Sequence, residues 1–135
     1  ISKEASQLIE VTRQSFFEGI KFAKAGNHLH DISAAIQNYA ESFGYGVVRD
    51  LVGHGIGTSL HEDPQIPNFK PAGRGLRLRP GMTLAIEPMI NAGRYDVTVL
   101  EDDWTVVTDD GSLAAHYENT ILITEGEPEI LTILK

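Results

Sequence analysis

Three residues of this sequence stand where ordinary packing gives no reason for them. His54 lies in "GHGIG", residues 53–57, between glycines that supply positive φ or room for close approach, so its imidazole is presented rather than packed. Glu87 lies in "MTLAIEPMI", an almost continuous apolar run of the kind expected for a strand buried on both faces. An ionised carboxylate there is costly unless it is paired, protonated or bound to metal. Glu118 repeats the anomaly within "HYENTILI". For each glutamate alone, the other reading is an edge-strand residue that points to solvent.

Taken together, His54, Glu87 and Glu118 form a donor set for hard or intermediate divalent ions, because carboxylate oxygens suit Mn and Fe while imidazole suits Fe, Co and Zn. His61, in "SLHEDP", is either a proton-transfer or substrate-contacting group or a surface-loop histidine. The spacings are long, so only a fold could assemble these groups.

Other chemistries find less support. Ser59 and His61 are close in sequence, but no G-x-S-x-G elbow exists and the chain has no cysteine. Gly53, Gly55 and Gly57 lack the strand-GxGxxG-helix context, and there is no Walker A pattern. Trp104, the only tryptophan, reads either as a pocket wall or as a half-buried strand aromatic.

Composition narrows the classes further. The 135 residues carry a formal net charge of -8, which argues against nucleic acid as a partner. Arg74, Arg77 and Arg79 cluster in "GRGLRLRP", which reads as a solvated loop. No apolar run reaches the roughly 18 residues of a membrane span, and "ISKEASQ" is no signal peptide. With no cysteine, a reducing cytoplasmic setting is expected. A chain of this length fits one domain, residues 1–135.

Two helices come first. Ala5, Leu8, Ile9, Thr12, Phe16, Ile20 and Ala23 recur at helical steps, and Gly26 offers a left-handed cap near "KAGN". Leu29, Ile32, Ala35, Ile36, Tyr39 and Phe43 repeat the pattern, with Asp31 near the start as the N-cap candidate and Gly44 just past the end. Strands follow: "YGVVRDL", then an irregular stretch from about His61 to Pro80, then "GMTLAIEPMI", "YDVTVL", "WTVVT", "AHYENTILIT" and "EILTI". "TDDGS" reads as a hairpin turn between "WTVVT" and "AHYENTILIT". The expected architecture is α+β, with the helices on one face of a curved, mainly antiparallel sheet.

The segments "GHGIGTSLHEDPQI", "LRPGMTLAIEPMINAG", "WTVVTDDGSLAAHYENTILIT" and "EILT", in that order, resemble the carboxyl-terminal half of type I methionine aminopeptidases, in the pita-bread metallopeptidase superfamily. The resemblance covers nearly the whole chain and implies half of a pita-bread fold. It implies that His54, Glu87 and Glu118 are metal ligands, with Glu118 bridging two ions. His61 then contacts the scissile peptide, and Trp104 lines the methionine pocket. The implied reaction removes the initiator methionine of nascent polypeptides, using water activated by two divalent ions, with Glu87 handling the proton.

Several features depart from the family pattern. Two aspartate ligands and a further substrate-contacting histidine belong to the half of the family fold that precedes this match. Leu60 stands at an aromatic pocket position, while Asn119 and Ala85 replace a common His and Thr beside the glutamates. The chain begins at Ile1 and is read as a truncated or proteolysed product, inactive alone and holding at most one ion. It is expected to pair with a missing amino-terminal half or with a second copy of itself. The rival readings are a non-catalytic protein-binding module and an Xaa-Pro aminopeptidase or prolidase.

Overall fold

The computed structural model describes residues 2–49, 66–101 and 106–132. Helix α1 spans Lys3–Ile20, and its first turn is closed by Ser2, whose hydroxyl accepts from the Ala5 N–H at 3.0 Å. Its buried stripe is Leu8, Val11, Thr12, Ser15, Phe16 and Gly19. The stripe is rotated from the expected one, because Ile9 is 51% exposed. The helix also ends sooner than expected, with Lys21 as C-cap. Gly26 does take a left-handed φ of 95°, but it closes no helix, since its N–H donates to Leu78 O at 3.0 Å.

Helix α2 spans Leu29–Glu41 and buries Leu29, Ile32, Ser33, Ile36 and Ala40. Its N-cap is His28 rather than Asp31. Asp31 sits at the third helical position, where its carboxylate accepts from the His28 N–H at 2.8 Å. Gly44 turns the chain just past the end at φ 81°. The two helices meet where Gly19 lacks a side chain, for a Cβ there would stand 2.7 Å from Ile36 Cγ1.

The strands are β1 (Gly46–Val47), β2 (Thr83–Ile86), β3 (Met89–Asn91), β4 (Val97–Val99), β5 (Val106–Thr108), β6 (Ala114–His116), β7 (Asn119–Leu122) and β8 (Glu129–Ile130). They form the sheets β1-β3-β6, β2-β7-β8 and β4-β5, and every pairing among them is antiparallel. The "TDDGS" turn is present, with Gly111 at φ 76°, but the strands on either side of it belong to different sheets. β5 pairs back on β4 and β6 pairs on β3, so that part of the hairpin expectation is corrected. Residues 66–80 contain neither helix nor strand, and the three arginines are exposed, as expected. The segment is pinned to the start of α2 by Leu29 N to Leu76 O and Leu78 N to Asn27 O, both 2.8 Å.

Two expected strands are each interrupted once, at the same level. Ile86 pairs with Asn119 on one side of the break and Met89 with His116 on the other, so one register runs through both sheets. Between them the Tyr117 N–H donates to Pro88 O at 3.1 Å. Proline has no N–H to return a bond, and the ladder is broken there without a shift.

Alternation along this strand pair separates two faces. Leu84, Ile86, Pro88 and Ile90 are buried, with Ile121 and Ile123 on the facing strand. They pack on Phe16, Leu29, Ile32, Ile36 and other helical residues. Tyr117 lies on this side with its ring 5.4 Å from Phe16. Thr83, Ala85, Glu87 and Met89 alternate with them and are only half-buried. The run around Glu87 is therefore buried on one face, not on both. The helices cover the apolar face, as an α+β half-fold requires, and the glutamate belongs to the other.

Candidate metal centre

The register determines which side chains meet on the open face. Pro88 and Tyr117 form the hydrogen-bonded pair, so Glu87 and Glu118 oppose each other as the neighbouring non-bonded pair, where side chains come closest. Met89 and His116 are the next such pair. Residues two apart share a face, which puts His116 beside Glu118 and diagonal to Glu87. One ligand atom from each of Glu87, His116 and Glu118 lies within 4.8 Å of the others.

Glu87 is half-buried, whereas His116 and Glu118 are exposed. Burial of Glu87 is the largest influence on its carboxyl group, followed by the facing charge of Glu118 and a hydrogen bond with Glu118; together they push its pKa up to about 7. Below about 7 such a pair holds a proton, which a bound cation replaces. Two carboxylates and an imidazole are donors that Mn, Fe, Co and Zn all accept.

The backbone beneath the site is held from the side. Asn68, 2% exposed, donates its Nδ2 to Glu87 O at 2.6 Å. Asn119, next to Glu118, donates to Tyr117 Oη at 3.0 Å and accepts from Thr132 Oγ1 at 2.6 Å. Both polar atoms of the Asn119 side chain are thus engaged. A cavity of about 150 Å³ lies beside His116, bounded by Val48, Met89, Val97, Val107, Ala115 and His116 among others.

Of the residues singled out in the sequence, Glu87 and Glu118 are brought together. His54, Leu60, His61 and Trp104 lie outside the described residues. His116 was missed. Its signal was the alternation His-x-Glu in "HYE", which on a strand places both side chains on one face.

The profile of metallopeptidase family M24 matches residues 1–125. A methionine aminopeptidase of Clostridium acetobutylicum is 62% identical over 133 residues, which is 98% of this chain and 53% of that relative. One of Clostridium perfringens is 58% identical over 135 residues, covering 100% of this chain and 54% of the relative. The chain thus spans about half the length of the curated relatives it matches. The crystal structure of methionine aminopeptidase from Thermotoga maritima superposes with a TM-score of 0.87 at 54% identity, over 97% of this chain and 53% of that one. The prolidase from Pyrococcus furiosus, at 14% identity and a TM-score of 0.59, shares the fold. The half pita-bread architecture and the resemblance to type I methionine aminopeptidases are both borne out.

Proposed function

Because the chain belongs to metallopeptidase family M24, we propose that residues 1–135 form one domain whose carboxylate pair serves a metal-dependent methionine aminopeptidase, removing amino-terminal methionine from polypeptides. The observation that carries this reading is Glu87 opposed to Glu118 on the open face of the sheet, with the Glu87 carboxyl pushed up to about 7. A structural glutamate pair without a cation to hold would be a standing cost.

In this reading His54, Glu87 and Glu118 are metal ligands for Mn, Fe, Co or Zn, with two ions in an enzyme of the relatives' full length and at most one held by this chain. Bound divalent ions supply Lewis acidity, lowering the pKa of water and polarising the scissile carbonyl. A Glu87 carboxylate oxygen takes the proton of the attacking water and passes it to the leaving amine. His61 contacts the scissile peptide. Leu60 and Trp104 line the methionine pocket. The partners are the amino-terminal methionine of a peptide and, across the open sheet face, either a second copy or the further half that the relatives possess. The setting is cytoplasmic; among the described residues no helix is long and apolar enough to cross a membrane.

The test is a joined chain in which the amino-terminal half of the Clostridium acetobutylicum relative precedes residues 1–135. With manganese(II), it releases methionine from a short Met-initiated peptide, and Glu87→Gln lowers kcat by at least about 100-fold. Residues 1–135 by themselves release little or none. A joined chain that folds, binds manganese and leaves the peptide intact contradicts the proposal.

A further inference from the structure

His116 is not among the ligand positions that the resemblance implies, yet it shares the open face with both glutamates. Its position follows from the strand pair itself. His116 and Glu118 are two residues apart on one strand, and Glu87 faces Glu118 on the other, in a register that continues unbroken on both sides of Pro88. The three donor atoms fall within 4.8 Å of one another. The imidazole is exposed, and no hydrogen-bond or ion-pair partner ties it down among the described residues. The imidazole also borders the cavity that Met89 and Ala115 help to bound. An exposed imidazole beside two carboxylates, on a rigid antiparallel pair, needs only side-chain rotation to close on an ion.

We propose that His116 is a direct ligand, so that Glu87, His116 and Glu118 alone hold one divalent cation on this chain. The proposal rests on the reading of the glutamates as metal ligands and goes beyond it by adding a nitrogen donor from the same strand pair. A three-donor site of this kind keeps positions open for water. It also makes a prediction that the carboxylate pair alone does not. Bound metal carries an imidazole nitrogen even when His54 is replaced.

The probe is manganese(II) itself, added to purified residues 1–135 carrying His54→Gln and followed by pulsed EPR and calorimetry. The expected result is nitrogen modulation from one imidazole on the bound ion, lost when His116→Ala is added, together with at least about a tenfold fall in affinity. Both variants are judged only after circular dichroism shows a native spectrum, and His116→Asn serves as a second replacement should the alanine variant unfold. Manganese bound with no imidazole modulation in His54→Gln, and with unchanged affinity after His116 is replaced, overturns the proposal and leaves the carboxylate reading intact. Failure of the unsubstituted chain to bind manganese overturns the proposal that these three residues alone hold the ion, while the carboxylate reading is decided separately by the joined chain.

Discussion

Glu87 and Glu118 face each other across an antiparallel pair at the one level where its ladder is interrupted, with the Pro88 carbonyl and the Tyr117 N–H bonded beside them at 3.1 Å. The interruption costs one hydrogen bond and leaves the register untouched. Two carboxyl groups are therefore held close by strands whose register is continuous on both sides of them.

This opposition makes the stability of the metal-free chain fall as pH rises. The Glu87 carboxyl is raised by burial, then by the charge of Glu118 and their hydrogen bond, from 4.5 to about 7. Between these values the folded chain binds more protons than the unfolded one, so the contribution is complete below about 4.5 and is lost as pH rises through about 7. Discounted for the solvent screening of a half-exposed group, the change is about 1–2 kcal/mol. Urea unfolding at pH 5 and pH 8 measures it, and Glu87→Gln flattens that part of the profile. An unchanged profile in the variant would assign the dependence elsewhere.

Metal has the opposite pH dependence. A cation that replaces the shared proton binds tighter as pH rises through about 7, and manganese(II) at 100 times its Kd raises the unfolding free energy by about 2.7 kcal/mol. Thermal melts at pH 6 and pH 8, with manganese and with a chelator, check this. An equal gain at both values would mean that proton and metal do not compete.

How much of this was legible in the sequence differs from residue to residue. Glu87 and Glu118 stood out because a charge in an apolar run is a local anomaly. The two helices were legible from their periodicity, although Lys21 rather than Gly26 ends the first and His28 rather than Asp31 starts the second. Strand partners were not legible. The turn after Thr108 looks like a hairpin, yet β5 returns to β4, because pairing is decided by packing over long sequence separations rather than by the turn alone. His116 escaped for the same reason: its meaning depends on which residue lies across from Glu118.

Asn68→Ala removes the side chain that accounts for the bond to Glu87 O at 2.6 Å. A part-buried carbonyl loses its side-chain donor, and the expected cost is about 1–3 kcal/mol in urea unfolding. Manganese affinity falls with it, since Glu87 loses its anchor. A variant with native stability would show that the carbonyl finds water instead.

Gly19→Ala tests the helix contact beneath the sheet. Alanine favours helix over glycine by about 1 kcal/mol, but its Cβ would lie 2.7 Å from Ile36 Cγ1. Overpacking prevails, with a net loss of about 1–2 kcal/mol and a lower Tm by differential scanning calorimetry. A raised Tm would mean that the helices separate at little cost.

The most direct test of the central claim is anomalous diffraction from crystals of this chain grown with manganese(II). The account predicts one manganese peak within bonding distance of both the Glu87 and Glu118 carboxylates. Well-ordered Glu87 and Glu118 side chains with no manganese between them would contradict it.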